Sequence, residues 1–412
     1  MTQQARVALI GLGKMGKTIL HHLQKNKYLK LVLAAEVDLA RGEAILRETN
    51  LKYTVAKSDE EVARAIEQDA IALVEDASLA LQAEYVDVII DATGEIGFGA
   101  WMAWNALSKR INMVMLNAEA DATVGPILSR LADSAGAIYT GDIGDEPGTI
   151  MHYLYKPLTE IGLEVLVAGK GKNNPLNPRA TPRDLAEESS RKGLNPRILT
   201  SFVDGTKTMI EMTILSNATG LLPDVRGMHG PSAGLNDLLN IFKLRSEGGI
   251  LNAYNVVDYV IGIAPGVFAI ARSDDEIITS NLEYLKLGNG PSFLFYRPYH
   301  LPGSETILSA IYSIKYKEPV IKPKGYYSET IAVAKRDLSP GDKLDGVGGF
   351  TVYGLIERRR VSKQEGLLPI GLAKNCIMRR SKRAGEVIRI DDVEIPETFL
   401  YDLWRIQEKI CR

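Results

Sequence analysis

The sequence predicts an α/β protein built from a doubly wound sheet, an α+β substrate domain and a small C-terminal β domain. Three observations lead to this prediction. Apolar strands alternate with helical stretches in the first third of the chain. The middle third mixes strands with polar turns, and the last part changes to short, turn-rich segments that repeat. We place the domain boundaries at residues 1–148, 149–327 and 328–412.

Length and composition exclude several classes of protein. The 412 residues are enough for two or three domains, and 45% hydrophobic with 24% charged residues is typical of a globular protein. The net charge of −2 creates no field that attracts nucleic acid or an anionic membrane. No apolar run approaches the roughly 20 residues of a membrane span. The only cysteines, Cys376 and Cys411, exclude a disulfide framework, and we expect a cytoplasmic protein without a signal peptide.

The first element is a buried strand, residues 6–11, that opens onto a glycine turn and then a helix. The first glycine allows a tight turn, the second lets the backbone approach a pyrophosphate, and the third lets the helix pack on the strand. Phosphate charge would then lie at the helix N-terminus. The pattern indicates a Rossmann-type dinucleotide site; the alternative is a glycine turn that binds nothing. The predicted contacts in this turn are Gly11, Leu12, Gly13, Met15 and Gly16.

The second apolar run, residues 31–36, ends in Glu36, where a ribose-binding carboxylate belongs. A carboxylate at this point favours NAD over NADP because it repels the 2′-phosphate. Arg41 lies one short loop further on and reverses the preference if it pairs with that phosphate. The predicted cofactor is therefore NADPH or NADH.

Further strands at residues 86–91 and 112–116 end in polar turns, and ligands bind at such carboxyl ends. Asn117 and Glu119 follow the second strand together with Asp121. The two acids have the alternative interpretation of helix capping and first-turn acids. The turn expected to pass beneath the cofactor consists of Ala92, Thr93 and Gly94.

A glycine-rich turn carries Asp142, Asp145 and Glu146 ahead of a helix expected from about residue 149. Three carboxylates are suited to a magnesium ion or to positioning a substrate. They equally suit a helix cap followed by proline in the first turn. Whether this turn binds a divalent metal therefore stays open.

Lysines mark the middle of the chain. A strand at residues 163–169 ends in Lys170 and Lys172, which predict a cationic loop for phosphate or carboxylate, or else a solvated loop. Lys207 and Glu211 lie four residues apart on one helix face. An exposed pair of this kind contributes only a few tenths of a kcal/mol, whereas a buried pair can transfer protons.

A proline-fixed turn at residues 296–300 brings together Tyr296, Arg297 and His300. Among the five histidines, His300 has the setting most suggestive of function, although a lone histidine is more often structural. No base is evident for Cys376, which we assign to the core.

The C-terminal segment contains an internal repeat. Residues 334–344 are echoed by 378–388, with basic residues before a glycine turn and an acid after it, which predicts two related β-hairpins. Basic runs at 357–360 and 379–383 lack interleaved aromatic residues, so we interpret them as solvated surface and expect no nucleic-acid partner.

Taken in order, the glycine turn and the motifs at 91–94, 117–121, 167–172, 204–207 and 296–300 resemble the 1-deoxy-D-xylulose 5-phosphate reductoisomerase-like proteins, relatives of homoserine dehydrogenase. The C-terminal repeat resembles an SAF (β-clip) domain. The resemblance implies an NAD(P)-dependent oxidoreductase that reduces a small sugar phosphate, with 2-C-methyl-D-erythritol 4-phosphate for isoprenoid synthesis as the product. The catalytic residues expected on this basis are Lys207, Glu211, Lys172 and Glu119, and the substrate-binding residues are Lys170, Asn117, Tyr296, Arg297 and His300.

Two alternatives remain. In homoserine dehydrogenases the acid precedes the lysine on the matching helix, whereas here Lys207 precedes Glu211. One alternative is a dehydrogenase of a small unphosphorylated hydroxy compound. The other is a non-catalytic dinucleotide-binding sensor or scaffold that docks a partner through its C-terminal basic surface. We expect a small-molecule substrate that is phosphorylated, no membrane partner and a homo-oligomer.

Overall fold

The computed structural model of the protein describes residues 4–82 and 84–411. Within these residues, none of the helices combines the length and the apolar character that crossing a bilayer requires. The strands are β1 (Ala5–Ile10), β2 (Leu29–Ala35), β3 (Tyr53–Val55), β4 (Ile71–Val74), β5 (Val88–Asp91), β6 (Asn112–Met115), β7 (Tyr139–Gly141), β8 (Glu164–Lys172), β9 (Leu222–Pro223), β10 (Val256–Ile261), β11 (Val267–Arg272), β12 (Ser292–Arg297), β13 (Ser328–Ala334), β14 (Val352–Arg358), β15 (Ile377–Met378) and β16 (Val393–Glu394).

The helices follow the strands closely in the first third and are more widely spaced later. They are α1 (Lys14–Gln24), α2 (Leu39–Glu48), α3 (Asp59–Glu67), α4 (Ile96–Ser108), α5 (Ala118–Ala135), α6 (Glu146–Ile150), α7 (Lys156–Glu160), α8 (Ala186–Lys192), α9 (Pro196–Val203), α10 (Thr206–Thr219), α11 (Leu238–Ile241), α12 (Glu276–Tyr284), α13 (Thr306–Ile311), α14 (Arg359–Glu365) and α15 (Phe399–Ile410).

The chain divides into two units. The first comprises the residues up to Gly148 together with Leu301–Lys322, and the second comprises Thr149–His300 and the residues from Pro323 onward. The division at 1–148, 149–327 and 328–412 that the sequence suggests stays a prediction.

The first unit is a seven-stranded sheet in the order β3-β4-β2-β1-β5-β6-β7. Every neighbouring pair is parallel. The strands are apolar along their length because helices cover both faces of such a sheet; α1, for example, buries Ile19, Leu20 and Leu23 against the core. This order confirms the predicted doubly wound sheet.

Residues 301–322 return to the first unit from far along the chain. Gly141 donates its N–H to the carbonyl of Ile321 over 2.8 Å, and the Thr140 hydroxyl accepts from the N–H of Val320 over 3.0 Å. Helix α13 packs against the apolar core through Ala310. No local pattern in the sequence indicates this return, because it depends on contacts between residues about 180 positions apart.

The second unit contains a five-stranded sheet in the order β12-β11-β8-β10-β9. Strands β8, β9 and β10 are parallel, and β11 and β12 are antiparallel to their neighbours. Helix α10 is buried along almost its whole length. It packs on the sheet through Met209 and Met212, and Thr213 and Ser216 on the same helix pair by hydroxyl contacts with Thr330 and Ser328 of β13.

Strand β8 is longer than the sequence suggests, and this corrects one prediction. Lys170 and Lys172 lie within the strand and are buried, not in a cationic loop after it. Gly169 and Gly171 alternate with them and face the neighbouring backbone. A Cβ at these positions would lie 2.1 Å from the carbonyl oxygen of Asp258 and 2.4 Å from the nitrogen of Ala264. Only glycine permits this approach, which extends the pairing to the end of the strand.

The C-terminal repeat also folds differently from the prediction. Leu338 and Lys382, at equivalent positions of the two copies, exchange backbone hydrogen bonds of 2.8 and 2.9 Å. Gly341 donates to the carbonyl of Met378, and its counterpart Gly385 donates to the carbonyl of Ala334. The two copies therefore pair with each other and do not each form a hairpin, which corrects the prediction of two related β-hairpins. The resemblance to an SAF domain stays a prediction.

Candidate active site

The glycine turn between β1 and α1 has the close packing that its sequence predicts. Gly11 has a φ of +88°, which favours glycine. A Cβ at Gly16 would lie 1.9 Å from the carbonyl oxygen of Gly11, so this glycine lets the helix approach the strand. A Cβ at Gly13 would have no neighbour within 4 Å. The turn is thus tight at its first and third glycines and open at the second, and Met15 lies in the first turn of α1.

Glu36 lies directly after β2 and is buried. Its Oε2 accepts the N–H of Leu12 over 3.0 Å and the Nη2 of Arg41 over 2.6 Å, and its Oε1 accepts the N–H of Asp38 over 3.2 Å. The contact to Leu12 places the carboxylate beside the glycine turn. Arg41 pairs with Glu36 and is half exposed.

The turn after β5 lies against the glycine turn. The atoms nearest to a Cβ at Gly11 belong to Ala92 and Thr93, at 3.1 to 3.2 Å. Nothing lies within 4 Å of a Cβ at Gly94. The Oγ1 of Thr93 is buried beside the carboxyl group of Asp91. The open space beside the glycines fits a bound dinucleotide.

Asn117 is the N-cap of α5 and is buried. Its Oδ1 accepts the N–H of Ala120 over 3.1 Å, and its Nδ2 donates to the carbonyl of Glu95 over 3.0 Å. Glu119 and Asp121 lie in the first turn of the same helix, as the capping alternative expects. The predicted roles of Asn117 in substrate binding and of Glu119 in catalysis stay predictions.

Two buried carboxyl groups of the first unit have no cationic partner in the part of the chain described. Burial raises the pKa of Asp121 to about 7, against the effect of a hydrogen bond from the Tyr139 hydroxyl over 2.8 Å. Burial and the nearby Asp145 raise the pKa of Asp142 to about 7. A protonated carboxyl is a poor metal ligand. Helix α6 begins at Glu146, three residues earlier than expected. Metal dependence stays undecided.

In the second unit, the ends of β8 and α10 bring the predicted lysines together. Lys170 forms a hydrogen-bonded ion pair with Glu211, and the Nζ of Lys207 lies 3.9 Å from the Oε1 of the same carboxylate. Lys172, on the same strand face as Lys170, donates to the carbonyl of Phe202 over 2.6 Å. The structure thus shows a cluster of Lys170, Lys172, Lys207 and Glu211, of which Lys207 is partly exposed and the others are buried. We call it the lysine cluster.

Lys172 has a pKa below the ordinary value of a lysine. Burial, followed by repulsion from Lys170, lowers the pKa of Lys172 to about 8, while Asp204 and Glu211 act in the opposite direction. An ammonium group has three donors. Phe202 is the one hydrogen-bond acceptor that Lys172 has among the described residues. A buried amine with donors to spare and a pKa near 8 suits proton transfer to a bound oxygen.

The register of the sheet relates Arg297 to the lysine cluster. Lys170 on β8 is paired with Val267 on β11, which is paired with Arg297 on β12, so the three side chains share one face. Two strand spacings separate the Cα atoms of Lys170 and Arg297 by about 10 Å. The guanidinium of Arg297 lies 3.9 Å from the ring centre of Tyr153 and 4.3 Å from that of Tyr299. Two aromatic faces thus hold its charge in place.

Tyr296 and His300 make backbone contacts near this face. The hydroxyl of Tyr296 donates to the carbonyl of Ile263 over 3.0 Å, and burial raises its pKa. The Nδ1 of His300 lies 2.9 Å from the carbonyl oxygen of Pro265, so this nitrogen carries the proton. Their predicted substrate contacts stay predictions.

Two contacts were missed from the sequence. Lys335 is buried and pairs with Asp204, and it lies in the first copy of the C-terminal repeat. His229, for which the sequence suggests no clear polar partner, lies 2.8 Å from Asp224. Neither contact has a local signal, because the partners are brought together by loops. Cys376 is buried, which confirms its assignment to the core, and burial raises its pKa to about 12.

Several known structures are similar to parts of this chain. A probable dehydrogenase from Thermotoga maritima is 13% identical over 76% of this chain and 90% of its own, with a TM-score of 0.41. A scyllo-inositol dehydrogenase from Lactobacillus casei, solved with NAD(H) and scyllo-inositol, is 13% identical over 66% and 67%, with a TM-score of 0.35. GenD2 from gentamicin A biosynthesis, in complex with NAD, is 14% identical over 43% and 46%, with a TM-score of 0.31. The matched part spans less than half of the GenD2 chain.

Sequence comparison adds one family. No curated protein matches this chain. Residues 144–306 match the family model described as oxidoreductase DRL, catalytic domain. The matched residues contain β8, α10 and β12, and with them the whole lysine cluster and Arg297. The segment that holds these side chains is therefore similar to the catalytic domain of an oxidoreductase family.

Proposed function

We propose that the protein reduces the carbonyl group of a small phosphorylated compound with NADH or NADPH. The single observation that carries the proposal is Lys172, a buried amine with a pKa of about 8 inside the segment that matches an oxidoreductase catalytic domain. Reduction of a carbonyl requires a proton at the oxygen as well as a hydride at the carbon. A general acid is most effective when its pKa lies near the working pH.

The roles within the lysine cluster follow from its contacts. Lys172 donates the proton to the carbonyl oxygen and holds that oxygen with its remaining N–H groups. Lys170 and Lys207 share Glu211, which fixes their ammonium groups on either side of one carboxylate. Lys170 also supplies the repulsion that keeps the Lys172 proton acidic. Arg297, held between two tyrosines on the same sheet face, binds the phosphate in this proposal.

The first unit binds the dinucleotide in this proposal. When bound, NADH or NADPH supplies the hydride. The open second glycine, Gly13, and the open Gly94 leave room for pyrophosphate and nicotinamide ribose, and the N-terminus of α1 favours the phosphate charge. Glu36 accepts hydrogen bonds from the hydroxyls of the adenosine ribose. Its pairing with Arg41 supports NADH as the better cofactor, because the arginine is already neutralised.

A panel of phosphorylated ketoses and aldoses tests the proposal, with oxidation of NADH and NADPH followed by absorbance. The panel includes 1-deoxy-D-xylulose 5-phosphate, whose rearrangement and reduction would yield 2-C-methyl-D-erythritol 4-phosphate. We expect turnover of at least one phosphorylated compound and its loss in Lys172→Met. Lys192→Met is the matched control, because Lys192 pairs with Glu188 on the exposed face of α8.

The other outcomes distinguish the alternatives. Oxidation of unphosphorylated hydroxy compounds only, at rates that Arg297→Met leaves unchanged, would contradict the phosphate assignment and support the hydroxy-compound dehydrogenase. Cofactor binding without turnover of any compound in the panel would support the sensor or scaffold.

A further inference from the structure

A buried ion pair between Lys335 and Asp204 joins the C-terminal strands to the turn beside the lysine cluster. Lys335 follows β13 directly, and its ammonium donates to the Oδ2 of Asp204 and to the carbonyls of Ala180 and Gly349, each over 2.8 Å. The three donors of the ammonium thus have three acceptors. The side chains of Lys335 and Asp204 are 1% and 0% exposed. This pair is thus a fully buried link between the C-terminal strands and the segment that matches the oxidoreductase domain.

Asp204 holds the turn between α9 and α10. Its Oδ1 accepts the N–H of Thr206, the first residue of α10, over 2.8 Å. Gly205 between them has a φ of +89°, so the chain turns sharply at this point. The Oγ1 of Thr206 accepts the N–H of Gly354 on β14 over 2.9 Å. The C-terminal strands therefore hold the start of α10 from two sides.

The same turn carries two contacts of the lysine cluster. Phe202, two residues before Asp204, provides the carbonyl that Lys172 donates to. Lys207 directly follows Thr206 on α10 and reaches Glu211 one turn later. A displacement of the turn would therefore move the acceptor of Lys172 and the position of Lys207 together.

We propose that Lys335 is a positioning residue of the active site: it neutralises and holds Asp204, which fixes the turn at 202–207 against Lys172. In this proposal the C-terminal β segment helps to position the catalytic side chains. The inference rests on the proposed function for its catalytic meaning. Its geometry concerns the second unit alone.

The charge of Asp204 allows the inference to be tested through the pKa of Lys172. Asp204 raises the pKa of Lys172, against the larger effects of burial and of Lys170. Lys335→Met leaves Asp204 without its cation, so we expect the pKa of Lys172 to rise. Asp204→Asn removes the carboxylate, so we expect that pKa to fall. The double variant removes both charges, so its Lys172 pKa should lie between those of the two single variants and below that of the wild type, because Asp204 is the charge of the pair that acts on Lys172. Each shift is expected to be about one unit. The charged groups that act on the pKa of Lys172 are Lys170 on β8, Asp204 after α9 and Glu211 on α10. Lys207 and Lys335 pair with these two carboxylates, Lys207 with Glu211 and Lys335 with Asp204.

The pKa of Lys172 is measured by the pH dependence of its acetylation, read by mass spectrometry between about pH 7 and 10. Lys343→Met, an exposed lysine of the same C-terminal segment, is the control and should leave the value unchanged. Opposite shifts in the two single variants support the proposal, since mere destabilisation would not produce them. Equal values in all folded variants overturn it.

A failure to fold does not remove the test. If Lys335→Met is unfolded, the double variant carries no buried charge at this position and is expected to fold. A fall of the Lys172 pKa in the double variant then supports the link through Asp204, and an unchanged value overturns it. The readout needs no substrate. The expected shifts without turnover of any panel compound would therefore contradict the proposed function and leave the positioning of Lys172 intact.

Discussion

The two units bury polar groups in opposite ways. In the first unit the candidate cofactor site is made of backbone, and the buried carboxyls Asp121 and Asp142 have pKa values raised to about 7. In the lysine cluster of the second unit the buried groups are lysines around one carboxylate, with Glu211 between Lys170 and Lys207. A dinucleotide needs N–H groups and space, which glycines provide. Proton transfer to a substrate needs charge, which must be paired when it is buried.

The largest effect is expected where that pairing is broken. Glu211→Gln removes the carboxylate that Lys170 and Lys207 share, and removing one partner of a buried pair costs about 3–5 kcal/mol. We expect the free energy of unfolding in urea to fall by that amount and turnover to be lost. Glu188→Gln, which removes an exposed partner of Lys192, is the control and should change stability by less than about 0.5 kcal/mol. Equal stability of the two variants would show that the cluster is not a buried ion pair.

The buried carboxyls of the first unit should make stability depend on pH with the opposite sign to the usual acid denaturation. Below about pH 4 Asp121 is protonated in both states. As the pH rises toward 7, the unfolded state ionises first, because the folded pKa is about 7, and the free energy of unfolding falls. At about 1.4 kcal/mol per pKa unit, the loss from Asp121 is at most about 4 kcal/mol.

Urea unfolding at about pH 5 and 8 measures the part of this loss that falls between those pH values, about 3 kcal/mol. Asp121→Asn should reduce the difference between the two pH values. Asp133→Asn, on the same helix but exposed and paired with Lys322, should not. A wild-type protein as stable at the higher pH as at the lower would contradict the raised pKa values.

The glycines of the first unit separate stability from binding. Gly16→Ala forces a contact of 1.9 Å with the carbonyl of Gly11, and overpacking of this kind costs about 1–3 kcal/mol. Gly13→Ala meets nothing within 4 Å, so its stability should match the wild type while its affinity for NADH falls about tenfold. Thermal unfolding and NADH titration check the pair. Unchanged NADH affinity in Gly13→Ala would show that the pyrophosphate does not bind at this turn.

The smallest expected effect concerns the choice of cofactor. Glu36→Ser removes the carboxylate that repels a 2′-phosphate and leaves Arg41 available to bind it. We expect the ratio of kcat/KM for NADPH to that for NADH to rise about tenfold, or 1.4 kcal/mol. Arg41→Ala in the same background should reverse the rise. No change of the ratio in Glu36→Ser would exclude this carboxylate from the ribose site.

The contrast between the units also explains which features could be predicted from the sequence. The glycine turn and Glu36 are recognisable because strand, turn and helix are consecutive in the chain. Lys207 and Glu211 were recognisable through helical spacing, but the closer partner of Glu211 is Lys170, 41 positions away on another element. Burial of Lys170 and Lys172 in β8 depends on the approach of residues 258–264 to Gly169 and Gly171. Lys335 is separated from Asp204 by 131 positions, and no local pattern can reveal that contact.

The most direct test of the central proposal is the pH dependence of kcat/KM for the phosphorylated substrate. A general acid acts only when protonated, so with Lys172 as the proton donor the rate should be constant below about pH 8 and fall tenfold per pH unit above it. The folded Lys172→Met variant should retain only a low rate without this decline. The same decline near pH 8 in the Lys172→Met variant, or its absence in the wild type, would contradict proton donation by Lys172.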